Sequence, residues 1–403
     1  MKKIINYFLI LSGAAFQGLQ KLIIITLLFK LYGSEYAGQY AALVSIPTFV
    51  SLFCGMGFGS KLLKLIPNET IAKRKGIFNK ITVSSMLWAL FVSIFLFFIN
   101  YTSIYNVSLS VLPYIFALSM ILLIRHYYMA MLDYLRLFVF DFVSLLITVV
   151  LIFFSRDAEQ YVLLSSLFLF VFVLFWYLIN ISRYETDLIY FYDKEVSQFS
   201  FNNVLSAGML SLLPIILSEL YGAAVTGEVM VLINFFSVFL LLSRSFASYN
   251  IPKLVSAIKL SNDNFLTSAE GFSYRYNVLT IIFMLLALFT TFAINYSSLS
   301  NYSEFEYTTL CAQLSVAIFV FSGSFGVVQG IYLFILKGQK YSIYSNLMYF
   351  ALSILLFFVI SLLDISISVT WMMSMLAVVS VLRYPYLKYY SSKFVLAIKE
   401  GVL

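Results

Sequence analysis

Charge is what this sequence has least of. Charged side chains make up 11% of its 403 residues, less than half of the roughly 25% usual in soluble domains. That is too little to cover a water-facing surface. Glycine and proline are sparse as well, 17 and 6, which excludes collagen-like and disordered low-complexity classes. The two cysteines, Cys54 and Cys311, are far apart and each sits in an apolar run. They make neither a disulfide framework nor a metal cluster and read as small buried hydrophobes. His126 is the single histidine; with no second histidine and no clustered carboxylate, no metal site is expected, and it reads as a packed or interfacial residue before a proton sensor. No phosphate loop, nucleotide signature or nucleophile triad occurs. No cofactor is expected, and the chain reads as a non-enzyme.

What is abundant is apolar surface. The chain is 62% hydrophobic, with 42 Phe and 30 Tyr, and its mean hydropathy is +0.97. A membrane-spanning helix needs roughly 20 mostly apolar residues. Twelve such stretches are predicted, over 5–31, 38–60, 81–99, 111–131, 138–154, 161–180, 201–220, 228–250, 276–296, 307–335, 342–363 and 367–387. The N-terminal stretch starts like a signal peptide, but its apolar run continues to Leu31, too far for a signal core, and it reads as a retained first span. The joints are short, so no extramembrane domain is expected.

Lys and Arg set the orientation. With both termini on the cytoplasmic side, only Lys30 and Arg156 of the 25 Lys and Arg fall in outer segments. Glu35, Asp157, Glu159, Glu304, Glu306 and Asp364 also lie outside. The net charge of +7 is therefore a topology signal. The Lys73-Arg74-Lys75 run reads as a cytoplasmic loop touching anionic headgroups, and no nucleic acid partner is implied.

The chain repeats itself. LYGSEYAGQYAALVSIPTFVSLF from Leu31 is answered by LYGAAVTGEVMVLINFFSVFLLL from Leu220, 189 residues later. A second glycine follows in each copy, Gly38 and Gly227, and the following spans close on Ile66-Pro67 and Ile251-Pro252. Six spans on either side give a parallel repeat about an axis along the membrane normal. Two bundles are expected, residues 1–190 and 191–403.

Several residues carry candidate chemistry. Ionisable groups within spans are costly and therefore candidates for function. Lys21 lies sixteen residues into the first span, about 24 Å along it. Gly13, Gln17, Gln20 and Lys21 fall at helical spacing. This polar face either lines a wet cavity, where amides would bond sugar hydroxyls and the ammonium an anion, or glues helices together while Lys21 reaches outward. Arg244, in the eighth span, either grips a phosphate or extends to the inner headgroups. Arg125, in the fourth span beside His126, is a third intramembrane cation. The seventh span sets Asn203, Ala207, Ser211, Pro214 and Ser218 along one face. Pro47 and Pro214, inside spans, are hinge candidates. Gln313, Ser322, Gly323, Ser324, Gly326, Gln329 and Gly330 crowd the tenth span and read as close helix packing.

The early Ser12-Gly13-Ala14-Ala15 with Gln17, the LYGSEYAGQYAALVS joint, the GMGFGSKLLKLIP exit at 55–67 and the basic loop after it resemble the Wzx-type flippases of the polysaccharide-transporter family, in the larger MOP superfamily that also holds multidrug carriers. The resemblance implies an all-α membrane protein of two six-helix bundles around a central cavity. It implies alternating-access flipping of polyprenyl-pyrophosphate-linked oligosaccharide across the bacterial inner membrane, for O-antigen, lipopolysaccharide or capsule assembly. Its implied partners are that lipid-linked oligosaccharide, membrane lipids and other polysaccharide-assembly proteins. One departure stands out: the family's cavity is described as cationic, and this chain has few intramembrane cations. A small-solute or multidrug antiporter of the same superfamily shares the fold, but cationic drugs call for buried carboxylates, of which mid-span positions here have almost none. A membrane oligosaccharide polymerase is disfavoured by the short outer loops near 100–110 and 297–306.

Overall fold

The computed structural model describes residues 2–102, 108–180, 190–296, 310–363 and 367–400. Among them every regular element is helical and no strand occurs. In hydrocarbon a backbone N–H or C=O has no water to bond, so a lipid-facing chain must close its hydrogen bonds within helices.

The helices are α1 (Lys2–Tyr32), α2 (Ser34–Ser51), α3 (Phe58–Leu65), α4 (Ile71–Tyr101), α5 (Val111–Ala130), α6 (Tyr134–Ile152), α7 (Ala158–Asn180), α8 (Lys194–Leu260), α9 (Asn262–Tyr296), α10 (Leu310–Ser322), α11 (Val327–Ile335), α12 (Gln339–Leu362) and α13 (Val369–Lys399). Among the described residues nine stretches are long and apolar enough to cross a membrane. One of them, Lys194–Ile258, holds two passes, because α8 leaves helical geometry at Gly222. With α1 and α13, each 31 residues long, or about 46 Å, the expected twelve passes are met. The outer segment expected at 297–306, with Glu304 and Glu306, and Asp364 lie outside the described residues.

Polarity is arranged for lipid. Serines face inward while large aromatics face outward: on α4, Ser84 and Ser85 are fully buried, and Phe91, Phe95 and Phe98 are about 60% exposed. A water-soluble helix does the opposite.

The contacts divide the chain into two compact units, Leu27–Gly227 and Met1–Thr26 with Glu228–Leu403. The first six spans were expected to make one bundle alone. By its contacts, however, most of α1 belongs with the C-terminal helices, and the first arm of α8 belongs with the N-terminal ones.

In the N-terminal unit α5 is the hub, buried along nearly its whole length and packed by α2, α3, α4, α6 and α7. Its core includes Phe58, Phe78, Tyr128, Phe140 and Leu169. In the C-terminal unit α13 is the hub, packed by α9, α10, α11 and α12. The contact of fourth span on sixth recurs in both halves, α5 on α7 and α10 on α13.

Two spans are less regular than predicted. The second winds as a π-helix over Leu52–Gly57. Such a bulge strands carbonyls that the i−4 ladder would satisfy, and two hydroxyls take them up: Ser85 Oγ donates to Cys54 O at 2.6 Å and Ser200 Oγ to Phe53 O at 3.0 Å. The three glycines of GMGFG allow close approach here. A Cβ on Gly55 would fall 2.8 Å from Ser119 O, one on Gly57 2.0 Å from Ser200 Oγ, and one on Gly59 2.6 Å from the His126 ring. The tenth span, predicted as continuous over 307–335, breaks between α10 and α11. Gly326 there adopts φ 90°, ψ −2°, a left-handed conformation that suits glycine. Its small residues make a turn inside the membrane span, which the packing reading did not foresee.

Candidate functional site

The repeated joint is the first structural landmark. Gly33 and Gly222, the glycines of the two Leu-Tyr-Gly copies, adopt nearly the same conformation, φ 91°, ψ 172° and φ 83°, ψ 167°. That region is open to glycine and strained for other residues. Each glycine turns the chain from one span into the next.

The first helix of each repeat carries an accessible polar face. On α1, Gln17 and Gln20 are partly exposed and Lys21 is exposed, while their neighbours Phe16 and Gly18 are buried. Gly18 is closely approached by Leu241 of α8. The polar stripe ends one turn on, at Ile24, Ile25 and Leu28, all nearly fully buried. The side-chain surroundings of Gly13 lie outside the described residues. On the first arm of α8, Met209, Leu213 and Leu217 form a stripe of zero exposure. Asn203, Ala207, Ser211 and Ser218 lie on another face and all stay partly accessible. Asn203 Nδ2 donates to Ser60 Oγ of α3 at 3.3 Å. Pro214 is buried in that arm, where the chain stays helical through it, and Pro47 is buried within α2, one turn before the π-helix.

The intramembrane cations have different surroundings. Arg125 is buried and paired with Asp141 of α6, also buried. Its charge is therefore matched inside the N-terminal unit. Spacing alone does not reveal this pair, because the α5–α6 hairpin is what aligns the two residues. His126 lies beside them, with Nδ1 2.7 Å from Leu122 O.

Arg244 instead reaches the break in the tenth span, donating from Nη2 to Gly323 O at 3.1 Å. A second arginine arrives at the same oxygen. Arg383 of α13 donates from Nη2 to Gly323 O at 3.1 Å and from Nη1 to Asn346 Oδ1 at 3.3 Å, and it stands 5.2 Å over the Tyr349 ring. The two Nη2 atoms are thus no more than twice 3.1 Å apart. Like charges at about 6 Å repel by about 3 kcal/mol at an effective dielectric near 20. Among the described residues neither arginine has an ion-pair partner. Arg383 falls near the cytoplasmic end of the predicted span 367–387, where an arginine is expected as a topology charge; the helix runs on to Lys399, and Arg383 is only 7% exposed.

A further charge cluster stands at the start of α8. Glu195 pairs with Lys61 and Lys64 of α3, and Asp193 with Lys61 at 3.1 Å. Burial alone would raise the Asp193 carboxyl, but the Val196 amide and the Lys61 ammonium outweigh it and hold it below the usual carboxylate range. Of the two cysteines, Cys54 is buried as expected, whereas Cys311 is exposed. The described residues hold no group of three metal-ligating side chains.

No family model and no curated protein matches the chain. Solved structures do. The crystal structure of MATE in the straight conformation aligns with 98% of this chain and 96% of its own, at 12% identity and a TM-score of 0.66. The structure of the MATE multidrug transporter DinF-BH, determined as a ligand complex, aligns with 96% of this chain and 94% of its own, at 13% identity and a TM-score of 0.66. The outward-facing conformation of a multidrug resistance MATE family transporter of the MOP superfamily covers 98% and 96%, at 13% identity and a TM-score of 0.64. Over nearly its whole length, this chain has the all-helical membrane fold of MATE transporters of the MOP superfamily.

Proposed function

We infer that this chain is a membrane carrier that moves an amphiphile with a hydroxyl-rich, anionic head, the chemistry of a polyprenyl-pyrophosphate-linked oligosaccharide. The observation that carries this reading is the accessible polar face on the first helix of each repeat. A spanning helix that leaves amides and an ammonium uncovered needs water or a polar ligand against them. Gln17, Gln20, Asn203 and Ser211 donate to and accept from hydroxyls. Lys21 supplies positive charge, and neither face carries a carboxylate between Gln17 and Lys21 or between Asn203 and Ser218. The lipid tail would stay in the bilayer while the head crosses through the protein, which opens to one side and then the other. The Lys and Arg distribution supports cytoplasmic termini, and the bacterial inner membrane rests on the resemblance to the polysaccharide-transporter family alone.

The second reading, a multidrug or small-solute antiporter, is favoured by the comparisons. Two of the structures that this chain resembles are of multidrug MATE transporters. On fold likeness alone this reading is the better supported; the chemistry of the polar faces is what favours an anionic cargo.

Proteoliposomes decide between them. With a synthetic polyprenyl-pyrophosphate disaccharide, the flippase reading expects protein-dependent loss of the sugar from the loaded leaflet, reduced at least tenfold in Lys21→Ala and Gln17→Ala/Gln20→Ala. Movement of the lipophilic cation tetraphenylphosphonium with no movement of the disaccharide would establish the drug reading in its place.

A further inference from the structure

Two arginines of the C-terminal unit meet at a break in a membrane-spanning helix, and no carboxylate among the described residues pairs with either. Arg244 and Arg383 share a single acceptor, the Gly323 carbonyl. Arg383 is 7% exposed. The Nε atoms of both arginines are buried and have no hydrogen-bond partner. Guanidinium groups stay charged at any physiological pH. One carbonyl dipole, the Asn346 amide oxygen and the face of Tyr349 do not neutralise two unit charges. A buried cation without a counter-charge is strongly destabilising. Immediately beyond the break α11 begins at Val327, with no side-chain cap on its N-terminus, and a helix N-terminus adds to the positive field.

The geometry points to a bound oxyanion, a tetrahedral group of the phosphate or sulfate type, held by the guanidiniums of Arg244 and Arg383 at the break between α10 and α11. The planar fork of a guanidinium matches pairs of oxygens and is less suited to a spherical halide. The group would come from free inorganic anion or from the phosphate of a lipid headgroup; the recognising chemistry is the same. The sequence alone offered Arg244 as a phosphate grip. The second arginine, the shared carbonyl and the helix break turn that single residue into a site. The site uses none of the polar-face residues on α1 or on the first arm of α8, so it does not rest on the flippase reading and holds equally for a drug carrier.

The test is thermal unfolding of the full chain. Protein purified in non-ionic detergent free of phosphate and sulfate is titrated with inorganic phosphate, sulfate and chloride at constant ionic strength. The same measurement is made in nanodiscs of phosphatidylglycerol and in nanodiscs of a phosphate-free galactolipid. The expected result is a saturable rise in Tm with phosphate and sulfate and none with chloride, lost in Arg383→Gln and weakened at least tenfold in Arg244→Gln. Arg383→Lys, which keeps the charge and loses the fork, should respond weakly. If phosphatidylglycerol raises Tm and then abolishes the response to added phosphate, the occupant is a headgroup; if the response persists, it is the free anion. If Arg383→Gln does not fold, Arg244→Gln, at the less buried of the two positions, carries the comparison. Equal stabilisation by chloride overturns the oxyanion assignment. A phosphate response that is undiminished in Arg244→Gln, or wild-type protein indifferent to phosphate and to lipid phosphate alike, overturns the site.

Discussion

Gly38 and Gly227 sit at equivalent places in the two copies of the Leu-Tyr-Gly joint, and each is closed in by the other copy. A Cβ on Gly38 would lie 1.8 Å from the carbonyl oxygen of Ala223, and a Cβ on Gly227 would lie 2.1 Å from that of Ser34. Ser34 and Ala223 are themselves equivalent, at the same 189-residue offset. The contact is therefore reciprocal, as two-fold related elements require, and it leaves no room for a methyl group on either side. Gly38→Ala and Gly227→Ala should each cost more than about 3 kcal/mol, beyond ordinary overpacking, because the obstacle is backbone. Gly33→Ala meets no atom within 4 Å and should cost about 1–3 kcal/mol from its backbone conformation alone. Monodisperse yield and Tm in detergent would rank the three variants; a harmless Gly38→Ala would refute the close crossing.

The buried Arg125–Asp141 pair gives a second expectation. Removing one partner leaves the other charge unmatched in the core of the N-terminal unit, so Arg125→Gln or Asp141→Asn should lower stability by about 3–5 kcal/mol. Replacing both by apolar residues, Arg125→Met with Asp141→Leu, should recover most of it. If the double variant is as unstable as the worse single one, the pair is more than a matched charge.

Acid should loosen the start of α8. The Asp193 carboxyl is held below its usual range by the Val196 amide and Lys61, against the opposing effect of burial. A carboxyl whose pKa is lower folded than unfolded adds stability above the ordinary carboxylate range, and that contribution is lost as pH falls through the folded value. Tm of the wild type should therefore fall on going from about pH 6 to about pH 3 more steeply than that of Asp193→Asn. Parallel curves would remove Asp193 from the clasp.

The cysteines offer a chemical check. Cys311 is exposed and Cys54 is buried, so a membrane-permeant maleimide should modify native protein once, and Cys311→Ser should abolish labelling until the protein is unfolded. Modification of Cys54 in the native state would contradict the tight packing around the π-helix.

Much of this architecture is written in local pattern. Spans show as apolar runs because lipid requires them, and the joint shows as a repeat because Gly33 and Gly222 both hold a conformation that favours glycine. What could not be read is whatever depends on a distant partner. Arg383 looked like a loop cation, since its contacts at Asn346 and Gly323 lie 37 and 60 residues away. Asp141 gains its partner Arg125 only when α6 folds back on α5. The break at Gly323–Gly326 and the π-helix at Leu52–Gly57 are departures from an otherwise helical composition, and small residues serve packing and breaking alike. Lys21, Gln17 and Gln20 were legible as a stripe, but its closing at Ile24 and Leu28 depends on the company that α1 keeps.

That company bears on how the chain is made. Residues up to Thr26 cluster with Glu228–Leu403, and the first arm of α8, as far as Gly227, clusters with the helices before it. The opening segment must therefore wait in the bilayer, without its final neighbours, until the ribosome has delivered the second half. Two fragments cut at residue 190 would each lack a helix that the other holds, so neither should mature when synthesised alone, and the pair should reassemble when made in the same cell.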